Sequence, residues 1–325
     1  MTEPFDAVLL VAFGGPQGPG DVRPFLANVL RGRRVSPERV EDVAHHYERF
    51  GGVSPLTELT MKQARALERT LAVRGLPLPV HVGMRNWHPF LADTLTAMAR
   101  RGHRRAIGVL AAAQRSYSGC LQYRENVHDA RIAVQQSGLA PPAITYVGDW
   151  HEHPGFIAAN ADRVRRACDR LPAGMRDRAR LIFTAHSIPV SMARSYPYEA
   201  NLSASAQSIA HAAGRRDWTV VYQSRSGRPE DPWLEPDVCD YLRREHAAGL
   251  EAAVLCPVGF LCDHVEVLYD LDVEAAETCR ELGIAMARAE AVNDHPQFVE
   301  ALADAVLETN ERYRSGRPLS IVRAP

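Results

Sequence analysis

The chain has 325 residues, a length that favours two domains of similar size. Hydrophobic residues make up 46% of it and charged residues 24%, which is typical of a globular protein and excludes a disordered, collagenous or coiled-coil chain. With 38 lysines and arginines against 39 acidic residues, the net charge of −1 gives no overall attraction to nucleic acid, so small-molecule chemistry is the stronger expectation.

The N-terminal segment has no targeting or membrane pattern. Met1–Asp6 is acidic where a signal peptide is basic, and the first apolar run, Ala7–Phe13, is far shorter than the ~20 residues of a membrane span. We therefore expect a cytoplasmic protein with no integral membrane segment. The six cysteines include no Cys-x-x-Cys pair, and a cytosolic chain of this length needs no disulfides, so free thiols are expected.

Four almost entirely apolar segments of strand length occur in the first half of the chain: Ala7–Ala12, Pro79–Met84, Ala106–Ala111 and Ala143–Val147. Unbroken apolar runs are typical of strands that are covered on both faces, as in a parallel sheet. Helical spacing of apolar residues separates them. One helix is predicted to begin after Thr60, with Thr60 and Gln63 forming a capping box, and to end at Gly75.

The second half repeats this plan with four further segments: Arg180–Ala185, Trp218–Gln223, Ala252–Val258 and Ile284–Arg288. Alternating strands and helices predict two Rossmann-like, doubly wound α/β domains with parallel sheets, over residues 1–150 and 151–325. The halves also open alike, since Val11–Pro16 and Thr184–Pro189 each lead from a strand into a turn of small residues. Ligands of such folds bind at the carboxyl ends of the strands.

The glycine-rich segment Gly14–Gly20 follows the first strand and suggests a nucleotide site. It matches neither the dinucleotide fingerprint nor the phosphate-binding loop, and Pro16 and Pro19 remove two amides that would bind phosphate. We interpret it as a tight turn that can place Phe13 beside a ligand.

His186 comes directly after a predicted strand, where a histidine has raised odds of facing a ligand. A serine hydrolase is an alternative interpretation, but the chain contains no Gly-x-Ser-x-Gly elbow. His264 and Glu266 follow another predicted strand and could meet His186 across a cleft. A neutral imidazole that faces a carboxylate can hold a transition metal or pass protons, and the absence of zinc-finger spacing predicts an open site.

Glu266, Asp270, Glu274 and Glu277 follow one another at spacings of four, four and three residues, which places them on one helix face. A solvated acidic face is the ordinary interpretation. Against it, like charges at this spacing repel by about 0.2–0.5 kcal/mol per pair. Divalent cations or mobile protons are natural occupants of such a row.

The chain resembles the ferrochelatases, enzymes that insert ferrous iron into a porphyrin, and the resemblance extends over nearly its whole length. It rests on six motifs in family order: Leu9–Pro16, Gly51–Leu56, Ala185–Pro189, Tyr222–Arg225, Asp231–Leu234 and Pro257–Tyr269. The resemblance implies two Rossmann-like domains with the porphyrin cleft between them. It also implies that His186 binds metal and accepts protons and that Glu266 is its partner across the pocket. Asp270 and Glu274 match an acidic path for metal or protons.

The segment Tyr117–Arg124 resembles the branch that acts on coproporphyrin III and is typical of Gram-positive bacteria. In that branch the positions of Ser54 and Tyr123 contact the porphyrin. Phe13 stands where some of these enzymes have a tyrosine that caps the inserted iron, and phenylalanine cannot ligate. Leu30 replaces an arginine of the branch, which leaves Arg31 as the candidate contact for a propionate.

The resemblance implies Fe2+ and a porphyrin as substrates and a haem-pathway decarboxylase as the recipient of the product. Certain relatives hold a 2Fe-2S cluster on four cysteines, some near the C-terminus, but no cysteine follows Cys279, so the sequence gives such a cluster no support. We expect a monomer that binds no nucleic acid. Two alternatives stay open: a protoporphyrin IX ferrochelatase, and a non-catalytic tetrapyrrole or iron carrier, which would need no proton acceptor such as His186.

Overall fold

A computed structural model describes residues 4–32, 35–226 and 230–317. These residues form two compact α/β units, each built on a four-stranded parallel sheet, which confirms the predicted fold class. Of the described residues, the first unit comprises those up to 111, residues 118–150 and residues 299–317; the second comprises 112–117 and those within 151–298. The domain division at residue 150 stays a prediction, and these units differ from it chiefly in the placement of the chain end.

The sheet of the first unit has its strands in the order β2-β1-β3-β4. The strands are β1 (Ala7–Ala12), β2 (Val80–Met84), β3 (Arg105–Leu110) and β4 (Ala143–Tyr146). The helices are α1 (Val22–Val29), α2 (Pro37–Arg49), α3 (Leu56–Val73), α4 (Leu91–Arg100) and α5 (Gln122–Gln136). All six residues of β1 are buried between neighbouring strands and helices, which explains its unbroken apolar sequence.

The sheet of the second unit has the order β6-β5-β7-β8. The strands are β5 (Arg180–His186), β6 (Trp218–Gln223), β7 (Ala252–Cys256) and β8 (Ala285–Arg288). The helices that follow β4 are α6 (Pro154–Arg170), α7 (Val190–Ser195), α8 (Tyr198–Ala212), α9 (Val238–Ala247), α10 (Val265–Val267), α11 (Ala276–Leu282) and α12 (Pro296–Arg314). Because the strand order repeats that of the first unit, β5 is the counterpart of β1, in agreement with the similar turns that follow both strands.

The prediction that a helix begins after Thr60 is wrong. Helix α3 begins at Leu56, directly after Pro55, whose fixed φ angle suits a helix start. Thr60 lies inside the helix, where its hydroxyl donates to the Leu56 carbonyl at 2.8 Å instead of capping the N-terminus. The predicted end is confirmed, since Gly75 follows the last turn with a φ of +83°.

The helix that carries the acidic residues is not one regular α-helix. A π-helix, Leu268–Ala275, lies between α10 and α11. Val267, Leu271 and Ala275 lie in the core of the second unit, at intervals of four residues. A π-helix has more residues per turn than an α-helix, and such π segments often occur at functional sites.

The end of α12 packs within the first unit. The Tyr313 ring meets Phe5 edge to face, with centroids 4.9 Å apart, and the Arg105 guanidinium lies 5.6 Å from the Tyr313 centroid. Arg74 adds an ion pair with Asp304 at 2.6 Å. Among the residues that the structure describes, no helix is long and apolar enough to cross a membrane.

Candidate active site

His186 is the last residue of β5, at the carboxyl end of the second sheet. Its Nδ1 atom lies within hydrogen-bond distance of the Ser187 carbonyl oxygen. A neutral imidazole that donates from Nδ1 keeps its lone pair on Nε2. The Tyr198 hydroxyl donates to the His186 carbonyl at 3.0 Å and holds the backbone in place. The local structure therefore presents Nε2 of His186 as a proton acceptor or metal ligand.

Two histidines face one carboxylate. Oε2 of Glu266 lies 3.9 Å from Nε2 of His186 and 3.7 Å from Nε2 of His264. His264 bonds through Nδ1 to the Cys262 carbonyl at 3.1 Å, so its Nε2 is also presented. Burial alone would lower the pKa of His264, but the Glu266 carboxylate raises it above its usual value.

Imidazole nitrogens and carboxylate oxygens are donor types that ferrous iron can accept. The distances from Oε2 of Glu266 to the two Nε2 atoms, 3.9 and 3.7 Å, are longer than an ordinary hydrogen bond. Within the described ranges, no three or more His, Cys, Asp or Glu side chains are arranged to hold a metal ion. The described cysteines are free thiols: Cys120, Cys168, Cys239, Cys256, Cys262 and Cys279.

Asp270, on the π-helix, is bound by two residues of the motif Tyr222–Arg225, for which no contact with Asp270 was predicted. The Ser224 hydroxyl donates to Oδ2 of Asp270, and Nε2 of Gln223 donates to the same oxygen at 3.1 Å. Ser224 follows β6 with a φ of +59°, an uncommon conformation for a residue with a side chain. Burial, reinforced by the charges of Glu266 and Glu274, raises the pKa of Asp270 to about 7. Such a carboxyl group can take up and release protons near neutral pH.

Replacing Asp270 with asparagine should change how stability depends on pH. The folded-state pKa of Asp270 lies above its unfolded value of 3.8, so the folded protein binds the extra proton between those two values. The stabilising contribution of this group is therefore present below pH 3.8 and lost as pH rises through 7. We expect the free energy of unfolding of the Asp270→Asn variant, relative to the parent, to rise by up to about 1.4 kcal/mol per pH unit between pH 4 and 7.

Urea unfolding curves at a series of pH values measure this difference. Asp240→Asn is the matched control, because Asp240 is 76% exposed and lies beside Arg243 on the surface. A parallel pair of stability curves for Asp270→Asn and the parent would contradict the raised pKa.

Glu274 and Glu277 are the remaining residues of the predicted acidic row. Glu274 is exposed at the far end of the π-helix. Glu277 is also exposed and forms an ion pair with Arg280 at 3.0 Å, which offsets its charge.

In the first unit, the guanidinium of Arg85 lies over the rings of Phe13 and Tyr123, two of the predicted porphyrin contacts. Phe13 follows β1 and is half-buried. The guanidinium of Arg85, just after β2, lies 5.6 Å from the Phe13 ring centroid and 4.4 Å from that of Tyr123. Nε of Arg85 donates to Oδ1 of Asn126 at 2.6 Å, which fixes the guanidinium. No role was predicted for Arg85 from the sequence.

Ser54 and Arg31 lie in different environments. Ser54 is 2% exposed, and its backbone N–H donates to the Pro16 carbonyl at 2.8 Å. A side chain at Gly15 would come within 2.7 Å of the Ser54 Cβ, so this turn requires glycine. Arg31 is exposed and donates to Oδ1 of Asn28 at 2.6 Å. Porphyrin contact stays a prediction for both residues, as for Phe13 and Tyr123.

A buried polar network holds the segment that leads to His264 and Glu266. Asp263 is 8% exposed and exchanges two hydrogen bonds with Asn293, at 2.8 and 2.9 Å. Nη1 of Arg288 donates to Oδ1 of Asp263 at 2.7 Å. This network could not be predicted from the sequence, because its members lie 25 and 30 residues apart.

A profile of the ferrochelatase family matches residues 5–310 of the chain. A ferrochelatase of Rhodopirellula baltica is 48% identical over 306 residues, which cover 94% of this chain and 86% of that protein. A coproporphyrin III ferrochelatase of Streptomyces coelicolor is 46% identical over 320 residues, with 94% and 85% covered. Among solved structures, SirB from Bacillus subtilis with Fe3+ aligns over 95% of this chain and 97% of that one, with a TM-score of 0.58. At 11% identity, this last likeness concerns the fold alone.

Proposed function

The chain belongs to the ferrochelatase family, and we propose that it inserts ferrous iron into coproporphyrin III to give iron coproporphyrin III for haem synthesis. The observation that carries the proposal is the approach of His186 and His264 to one oxygen of Glu266, at 3.9 and 3.7 Å. The choice of porphyrin is supported by relatives named coproporphyrin III ferrochelatase, such as that of Streptomyces coelicolor.

Insertion requires that two pyrrole N–H protons leave and that iron sheds its water, with no change in the oxidation state of the metal. His186 accepts a pyrrole proton at Nε2, because its Nδ1 is engaged with the Ser187 carbonyl. Glu266 holds or steers the iron, and its charge stabilises the imidazolium that forms on His186.

Protons leave along the π-helix in this proposal. Asp270, with a pKa of about 7, can accept a proton and release it again. Ser224 and Gln223 hold its carboxylate in one orientation. Glu274, one helical step further on and exposed, connects it with solvent.

Phe13, Arg31, Ser54 and Tyr123 are proposed to contact the porphyrin. Phe13 offers an aromatic ring and no ligating oxygen, so it cannot cap the inserted iron. Arg31 is exposed and can pair with a propionate. Ser54 and Tyr123 are 2% and 6% exposed, so they are proposed to shape the wall of the porphyrin site.

The setting of the reaction is part of the same proposal. Ferrous iron and the porphyrin are the substrates, and a decarboxylase of the haem pathway receives the product. We place the reaction in the cytoplasm and propose a monomer as the active form. An iron–sulfur cluster has no part in the proposed chemistry.

Anaerobic steady-state turnover with ferrous iron tests the substrate. Coproporphyrin III has two more carboxylates than protoporphyrin IX, and a hydrogen bond to a charged group contributes about 1.5–3 kcal/mol. We expect kcat/KM to be about 10- to 100-fold higher for coproporphyrin III.

Two other outcomes of these measurements would contradict the proposal. A preference for protoporphyrin IX would assign the protein to the other branch of the family. Tight porphyrin binding without metal insertion, measured by fluorescence quenching, would indicate a tetrapyrrole carrier instead.

A further inference from the structure

Two histidines face each other at the amino ends of strands in the first unit. His81 is the second residue of β2, and His103 lies just before β3. Their Nε2 atoms are 3.2 Å apart, and the ring planes are inclined by 61°. Phe13 follows the carboxyl end of β1, at the other end of the same sheet, so the proposed iron chemistry gives this histidine pair no role.

We infer that His81 and His103 form a second metal site, which binds a divalent transition-metal ion of the zinc type with water in its remaining positions. Two imidazole nitrogens bound to a tetrahedral zinc ion at about 2.0–2.1 Å are about 3.3 Å apart. The observed separation of 3.2 Å therefore needs almost no rearrangement. The ion replaces the proton that joins the two Nε2 atoms, and that proton moves through water to Nδ1 of the same ring.

A carboxylate stands behind one of the two rings, as in many zinc sites. Oδ1 of Asp6 lies 3.6 Å from Nδ1 of His103. Asp6 is itself fixed, because its two oxygens accept from the backbone N–H groups of Arg104 and Arg105, at 2.7 and 3.3 Å. This carboxylate favours a proton on Nδ1 of His103, which leaves the Nε2 lone pair for the ion.

Charges of both signs lie around the pair. Glu68 lies near His81 and accepts from the Val80 backbone N–H at 2.7 Å. The carboxylates of Glu68 and Asp6 are negatively charged. The guanidinium of Arg101 is positively charged and opposes the effect of Glu68 on His81. The side chain of His103 is 15% exposed, so the site can be reached from solvent.

Calorimetric titration of the metal-free full chain with zinc at pH 7.5 tests the site. The titration uses a His186→Ala/Glu266→Gln background, which removes zinc binding at the proposed iron site. We expect one zinc ion per chain, an affinity at least tenfold lower for His81→Gln and for His103→Gln, and a loss of about tenfold for Asp6→Asn. His45→Gln is the matched control, since His45 is 67% exposed, and should bind zinc as the background does.

A readout in the otherwise unchanged protein separates loss of the site from loss of folding. Zinc should shift the ring nitrogen NMR signals of both His81 and His103 in the parent chain, and it should raise the melting temperature of the His186→Ala/Glu266→Gln background. His81→Gln should keep its turnover with iron in the otherwise unchanged protein and should lose the zinc-dependent rise in that background. Zinc binding of equal affinity in the background and in both histidine variants would overturn the inference, as would unshifted ring signals in the parent.

Discussion

Replacing His186 with alanine is expected to lower kcat for iron insertion by about 10²- to 10⁴-fold, the usual contribution of a positioned proton acceptor. The expectation follows from the Nδ1 contact with the Ser187 carbonyl, which presents Nε2 as the accepting atom. In the proposed mechanism Glu266, 3.9 Å away, holds or steers the iron, so it does not replace His186 as the proton acceptor. Anaerobic single-turnover absorption spectra measure the insertion step directly.

Two controls make this result specific. His211→Ala removes an exposed histidine from α8 of the same unit and should leave kcat unchanged. Coproporphyrin III binding, followed by fluorescence, should persist in His186→Ala, because the loss concerns proton transfer and not the pocket. An unchanged kcat in His186→Ala would remove this histidine from the proposed mechanism.

The strands could be predicted from the sequence because burial on both faces leaves an unbroken apolar run. All eight were confirmed, and the largest error was two residues, at the end of β7, which stops at Cys256. Pro257 explains that error, since it removes the N–H that the next ladder bond would use. The start of α3 could not be inferred from Thr60, because Pro55 offered a competing start five residues earlier than predicted.

The candidate site was partly predictable for a related reason. His186 and Glu266 could be found because each comes at or soon after the end of a strand, where the topology places ligands. The π-helix could not be predicted, because residues four apart, such as Val267, Leu271 and Ala275, also share one face of an ordinary α-helix. Ser224 and Arg85 could not be assigned, since their partners lie 46 and 41 residues away and only the fold brings them together.

Replacing Arg288 with methionine is expected to lower the free energy of unfolding by about 3–5 kcal/mol, the cost of leaving a buried charge without its partner. Arg288 is 13% exposed at its side chain and bonds to Asp263 at 2.7 Å and to Asp272 at 2.6 Å. Its removal leaves the Asp263 carboxylate with only neutral partners, Asn293 and the Ala291 N–H. Urea unfolding followed by tryptophan fluorescence measures the loss.

The expected loss of stability comes from the uncompensated charge of Asp263, so removing that charge should recover stability. Asp263→Asn combined with Arg288→Met should be more stable than Arg288→Met alone, because no uncompensated carboxylate remains. Arg280→Met, which breaks an exposed pair with Glu277, should cost less than about 1 kcal/mol. Equal losses for Arg288→Met and Arg280→Met would show that the buried network does not hold the segment leading to His264 and Glu266.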